Sequence, residues 1–291
     1  MQQITVRVPA STSNLGPGFD CLGVALRLYN QVTVRRGPGA SQGEMSRQTA
    51  ECFFQSTGIR PFAFSASVSG EVPVSRGLGS SVTVRLGILH GLNALSGGLL
   101  NRKEIFRLCA ELEGHPDNAA SAEFGGFNVA RGLRPQRFSV TAALKFVLLI
   151  PDFEVGTDQA RSLLPNRLSR AAAVESCGNA CAITAAFASG HYKHLRSAFG
   201  DHLHQPFRKK LVPFFDDVVA AAEKAGALGG FLSGSGSTIA AVTVASPEAV
   251  AQAMQSSVGN SKARTLITIA DNQGTVVLQT RRLGLKSQNA R

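Results

Sequence analysis

The chain has 291 residues, 44% hydrophobic and 17% charged, with a formal net charge of +11. That is enough apolar material for one large core or two moderate ones, and two domains are expected. The positive balance could suit nucleic acid, but the cations are dispersed apart from pairs such as Arg35-Arg36, Lys209-Lys210 and Arg281-Arg282; this argues against nucleic-acid binding, while the net charge could still steer anionic substrates.

Strands dominate the opening. Ile4, Val6 and Val8 alternate, as do Val24, Leu26 and Leu28, then Val32 and Val34. A helix is expected between Ser46 and Gly58, then a strand from Phe62 to Val68 that leads through Pro73 into a glycine turn. After that turn Val82, Leu86, Leu89, Leu92 and Leu95 recur at three- and four-residue spacing, the mark of a helix with one buried face. A further helix spans about Arg102 to Glu113, with Ile105, Leu108 and Leu112 on one side. Short strands follow Gly125-Gly126, and Leu144 to Ile150 reads as a buried strand ending at Pro151. The second half is helix-rich and closes on Phe231-Leu232, another glycine turn, and Ile239 to Val244. Strands and helices without strict alternation predict an α+β fold, divided into 1–142 and 143–291. The longest apolar run, around Phe146 to Ile150, is too short to span a bilayer, and Met1-Gln2-Gln3 does not open a signal pattern, so a cytoplasmic protein without a membrane partner is expected.

Three polar stretches carry candidate chemistry. Arg76-Gly77-Leu78-Gly79-Ser80-Ser81 lies at a helix N-terminus, where glycines leave the amides open and the dipole favours phosphate. Ser80 and Ser81 could cap that helix, and one of them could meet a metal ion carried by the phosphates. No Lys follows the second Gly, so the Walker spacing is not met and a different phosphate-binding architecture is needed. Pro9 to Asp20 runs a strand into a polar, glycine-rich bend containing Asn14 and Asp20, which could grip a small polar ligand or simply shape the turn. Glu113-Gly114-His115-Pro116-Asp117-Asn118 packs polar side chains where a helix stops; the same residues could start the next helix.

Taken in order, these stretches and Leu232 to Thr238 resemble the GHMP kinases. The forms Asn-Leu-Gly-Pro-Gly-Phe-Asp, Glu-Gly-His-Pro-Asp-Asn and Asp201 to Arg208 are most similar to the members that phosphorylate homoserine. The resemblance implies an N-terminal domain like ribosomal protein S5 domain 2 and a ferredoxin-like C-terminal domain, with ATP and L-homoserine meeting between them in a homodimeric enzyme of threonine biosynthesis. By position, Arg76, Gly77, Leu78, Gly79, Ser80 and Ser81 would wrap the ATP phosphates, and Ser81 and Glu113 would hold Mg²⁺. Asn14, Asp20 and His115 would bind the amino and hydroxyl end of homoserine, and Arg161 and Arg208 its carboxylate. Several relatives carry Asp where this chain has Asn118; an amide cannot accept a proton at neutral pH, so Asn118 would orient the reacting groups, Asp117 would serve the helix start, and no protein general base is implied. A kinase for another small amino alcohol or sugar, or a binding paralogue without turnover, is the alternative.

This chain departs from the family pattern in places. Val82-Thr83-Val84 puts β-branched residues where small ones suit the helix start, which could shift or crowd it. Ser237 stands where relatives commonly have Pro, and Cys21 replaces the usual Ser after Asp20. The stretch Arg35 to Gly58 carries no signature for adenine. Cys21, Cys52, Cys109, Cys177 and Cys181 have no ligand or redox spacing and read as buried thiols. His191, His194, His202 and His204 lack partnering ligand residues and read as packing or surface groups. The tail Leu285 to Arg291 reads as frayed.

Overall fold

A computed structural model describes residues 2–38 and 43–282. In chain order, the elements of the first half are β1 (Gln2–Ser13), β2 (Leu22–Arg36), α1 (Glu44–Thr57), β3 (Phe64–Gly70), α2 (Ser80–Leu95), α3 (Arg102–Glu113), α4 (Asp117–Phe124), β4 (Phe127–Arg131) and β5 (Arg134–Phe138). There follow β6 (Lys145–Pro151), α5 (Thr157–Ser162), α6 (Arg170–Ser189), α7 (Gln205–Arg208), α8 (Phe215–Lys224), β7 (Gly229–Leu232), β8 (Ile239–Thr243), α9 (Pro247–Ser256), β9 (Ala263–Ile269) and β10 (Val276–Arg282). The expected elements recur within a few residues of their anticipated ends. The tail from Leu285 onward lies outside the described residues.

One antiparallel sheet runs β10-β1-β2-β4-β5, with β3 also paired to β2; a second runs β7-β8-β6-β9. The alternation in β1 and β2 buries Ile4, Val6, Val32 and Val34 against Phe53 of α1, Val82, Leu86 and Leu89 of α2, and Ile105 and Phe106 of α3. Farther along the same strands, Ala10, Val24 and Leu26 join a different core, shared with Phe146, Leu148, Phe187 and Phe231. The β1–β2 register shifts between Pro9 and Ala10, where the pair passes from the helical layer to the second sheet. Strand β6 is apolar on both faces because alternate residues serve different layers. Phe146, Leu148 and Ile150 face the shared core, whereas Val147 and Leu149 pack with Val218 of α8 and Val250 of α9. The fold is therefore α+β, as the pattern predicts. It departs from a clean division at residue 142 in that β10 pairs with β1 as an edge of the first sheet.

Two other readings are corrected. Cys109 is buried, but Cys21, Cys177 and Cys181 are exposed. Cys177 and Cys181 lie one helical turn apart on α6, whose first half stands out from the body, with Val174 65% exposed. In length and composition α6 could cross a membrane, although Ile183, Ala186 and Phe187 are buried in the shared core. The start of α2 is neither shifted nor crowded by the β-branched run. It begins at Ser80 after Gly79; Val82 enters the core, and buried Thr83 accepts from Asn30 Nδ2 at 2.8 Å.

Helix α4 is anchored by a buried charge. The fully buried Glu123 carboxylate meets His90 Nε2 and Arg102 Nε, each at 2.8 Å. Partners of this kind are required where a carboxylate leaves water.

Candidate active site

A cavity of about 430 Å³ has a wall that includes Asn14, Asp20, Arg76, Gly77, Gly79, Ser80, Ser81, Glu113, His115, Asn118, Arg161 and Arg208. Residues far apart in the chain converge there because β1 and α3 end, and α2 and α4 begin, beside this cavity. Leu78 does not line it: its side chain is 1% exposed and belongs to the shared core.

At the phosphate-type turn, Gly79 has φ +68° and precedes α2 with no side-chain cap hydrogen bond among the described residues, so Ser80 and Ser81 do not cap the helix and its first N–H groups are left for a ligand. Gly77 has φ +72°, and a Cβ there would come within 2.1 Å of Ser233 O; one at Gly79 would come within 2.4 Å of Ser11 Oγ. These glycines allow the turn to lie against the 233–236 turn and β1, besides opening it to a ligand. Arg76 Nε donates to Pro151 O at 2.9 Å and its NH1 pairs with Glu154 at 3.3 Å, so its charge braces the turn against the second sheet. Ser237 Oγ holds Phe153 O at 2.6 Å on the same side.

Where α3 ends, Ser81 Oγ donates to Glu113 Oε2 at 2.8 Å, and Arg85 Nε lies 2.7 Å from Glu113 Oε1. The alignment at Arg85 is that of an ion pair and not of a hydrogen bond, because Glu113 Oε1 and Arg85 Nε and NH1 are buried without a hydrogen-bond partner. Two hard oxygens this close suit a small divalent cation, which takes few protein carboxylates when phosphates supply the rest. The carboxylate oxygen that faces Arg85 accepts no hydrogen bond, which adds to the fit.

The other end of the cavity is built from the first motif and the Asp201–Arg208 stretch. Asn14 is in the left-handed region at φ +70°. Its Nδ2 donates to Gly234 O at 3.0 Å and its Oδ1 accepts from Asp20 N at 3.0 Å, so its carboxamide shapes the bend as well as lining the cavity. Asp20 Oδ1 accepts from Arg161 NH2 at 2.7 Å. Arg161 and Arg208 both lie over the Phe19 ring, at 5.3 and 4.9 Å from its centroid. Arg208 is 2% exposed and donates to Ala160 O and Gly234 O, but among the described residues no carboxylate pairs with it. Burial, then the neighbouring Arg161, lowers its pKa to about 10, which still leaves it charged at neutral pH.

Asp117, also on the cavity wall, is 2% exposed, accepts from Asn118 N at 2.8 Å and meets His115 Nδ1 at 3.2 Å. That contact raises the His115 pKa against the opposing effect of burial. Asp20, His115 and Asp117 bring ligand atoms within 4.8 Å of one another. Arg161 already holds Asp20 Oδ1 at 2.7 Å, and its positive charge counts against a metal ion in this corner. Asn118 Oδ1 accepts from Ser11 Oγ at 2.8 Å, and its Nδ2 donates to Ser13 Oγ at 2.9 Å.

Sequence reasoning missed the residues that support these groups. Asp201 accepts the N–H groups of Leu203, His204 and Gln205, while Gln205 Oε1 accepts from Leu232 N. His204 is fully buried, stacks on Phe19 at 5.2 Å, and donates from Nε2 to Gly16 O. Desolvation lowers its pKa to about 4, so it is a neutral packing residue. The density of polar residues in Asp201–Arg208 was a signal; its cross-chain partners were not visible.

Comparison with known proteins agrees with this architecture. The family model described as the GHMP kinases N terminal domain matches residues 44–126, and that of the GHMP kinases C terminal matches 183–261. A homoserine kinase of Caldicellulosiruptor bescii is 36% identical, with 97% of this chain and 99% of that protein covered. A homoserine kinase of Clostridium acetobutylicum is 34% identical, over 94% of this chain and all of that protein. The crystal structure of homoserine kinase from Cytophaga hutchinsonii superposes with a TM-score of 0.85 at 27% identity, covering 95% of this chain and 97% of that one. With both family models matched around one cavity, and with relatives of this similarity along nearly the whole length, the chain belongs to the GHMP kinase family.

Proposed function

We propose that the chain is a homoserine kinase, transferring the γ-phosphoryl group of ATP to the side-chain hydroxyl of L-homoserine to give O-phospho-L-homoserine and ADP. The observation that carries this reading is Arg208, a buried guanidinium facing the cavity with no carboxylate partner among the described residues. A buried charge calls for a counter-ion, and a planar carboxylate suits the guanidinium fork. Asp20, on the same wall, supplies the opposite charge for an ammonium. An α-amino acid satisfies both groups, mevalonate only the first, and a neutral sugar neither.

The free amides at Gly77 to Ser81 and the start of α2 bind the phosphate tail. Ser81 Oγ and Glu113 would hold Mg²⁺, which when bound neutralises charge on the polyphosphate. Asn118 has its carboxamide fixed by Ser11 and Ser13, yet one N–H and one oxygen lone pair remain free to orient the substrate hydroxyl. Because the transition state of phosphoryl transfer is loose, this positioning suffices, and the hydroxyl proton passes to an oxygen of the transferred phosphoryl group as the bond to ADP breaks, without a protein base.

An ADP-release assay with Mg-ATP and homoserine, mevalonate, galactose, serine and threonine tests the assignment. Homoserine should drive release well above the others; well-folded protein without homoserine-dependent release would overturn it. For the base-free mechanism, Asp117→Asn should retain measurable turnover. Loss of turnover with fold and homoserine affinity intact would make Asp117 the base.

A further inference from the structure

Arg85 is not among the groups the proposed reaction uses, although it sits at the proposed metal corner. It follows Ser81 by one helical turn, so both side chains reach the same side of α2, and both line the cavity. Its guanidinium lies 2.7 Å from Glu113 Oε1, with the Arg85 side chain 12% and the Glu113 side chain 9% exposed. Glu113 thus divides its two oxygens, one receiving the Ser81 hydroxyl and the other facing Arg85. The Arg85 contact lacks hydrogen-bond alignment, leaving Arg85 Nε and NH1 and Glu113 Oε1 buried and unpartnered. An ion pair of this kind is held by charge alone and is open to exchange for a better counter-ion.

We propose that Arg85 is the resident counter-ion of Glu113, and that a divalent cation must take the carboxylate from it, so that Arg85 sets how much cation the enzyme requires. The inference rests on the reading of Glu113 as a cation ligand. With Glu113 unoccupied, Arg85 keeps a buried carboxylate neutralised and turned toward Ser81. A cation entering at Ser81 and Glu113 meets a positive charge already in place, and the repulsion weakens its binding at these short distances. Arg85 is thereby a positioning residue: it acts on Glu113, not on the reacting atoms.

The test is Mn²⁺ binding followed by electron paramagnetic resonance on the full chain without nucleotide, beside the Mg²⁺ concentration that half-activates turnover. Arg85→Gln should bind Mn²⁺ about tenfold tighter than the parent and need correspondingly less Mg²⁺, while Arg85→Lys, which keeps the charge, should stay near the parent. If Arg85→Gln does not fold, Arg85→Met keeps the apolar stem and carries the same expectation. Equal or weaker Mn²⁺ binding on loss of the charge, with Glu113→Gln still lowering it, would overturn the role of Arg85. Mn²⁺ binding untouched by Glu113→Gln in either background would overturn the metal placement and this inference with it, leaving homoserine phosphorylation to be judged by the ADP-release assay.

Discussion

Replacing Arg208 by Met separates recognition of a carboxylate from support of the fold. In the folded protein Arg208 gives hydrogen bonds to Ala160 O at 3.3 Å and Gly234 O at 3.1 Å. Gly234 O keeps Asn14 Nδ2 in the variant, and Met fills much of the arginine stem while removing a cation that burial disfavours. Gain and loss nearly offset, and stability should change by less than about 2 kcal/mol. Substrate recognition should change far more. Removing one partner of a buried charge pair costs about 3–5 kcal/mol, or roughly 10²- to 10⁴-fold in kcat/KM at 1.4 kcal/mol per tenfold. The assay compares L-homoserine with 3-aminopropan-1-ol, which keeps the amine and hydroxyl but lacks the carboxylate. The parent should favour homoserine strongly, and Arg208→Met should lose most of that preference because only homoserine suffers. An equal loss on both substrates would refute the argument, since it would mean that Arg208 shapes the cavity without reading the carboxylate.

Two further outcomes follow from the same geometry. The folded His115 pKa is raised, first by its bond to Asp117, so that bond's stabilisation is complete below the unfolded value of about 6.5 and is lost as pH rises through the higher native one. Urea unfolding of His115→Gln should show a deficit of about 1.5–3 kcal/mol at acidic pH that shrinks in alkali; a deficit that grows with pH would reverse the sign. Gly77→Ala should cost more than about 3 kcal/mol, because the left-handed conformation alone costs roughly 1–2 and the new Cβ would meet Ser233 O. A loss below about 1 kcal/mol would mean that the turn can move away from Ser233.

The fold was readable where one periodicity served one face. Val82, Leu86, Leu89 and Leu92 all lie in the helical layer, as their spacing requires. It was less readable where one strand serves two cores: Val6 and Ala10 look alike in sequence, yet they belong to different clusters. The return of β10 to β1 carried no local mark, because edge pairing depends on where the chain ends up and not on pattern. In the site, the polar residues announced themselves by density. Their partners did not, since Ser11 to Asn118 spans 107 residues and Arg161 to Asp20 spans 141. Arg85 shows the limit most clearly: read on the helix alone it is a solvated charge, and only the end of α3 makes it the counter-ion of Glu113.

The 233–236 turn explains why the two ends of the cavity are held in one geometry. Ser233 Oγ donates to Gly77 O at 2.6 Å and lies 2.8 Å from Thr12 Oγ1, fixing the phosphate-type turn to β1. Gly234 O accepts from both Asn14 and Arg208, fixing the first motif to the proposed carboxylate-binding arginine. A shift of this turn would therefore move the proposed donor and acceptor sites together, and a misplacement of about 1 Å is enough to cost on the order of 100-fold in rate. The glycines at 77 and 234 permit this contact because neither carries a side chain between the turns. Their composition looks like a ligand signature from sequence alone; in the fold it is equally a requirement of joining the second sheet to the first.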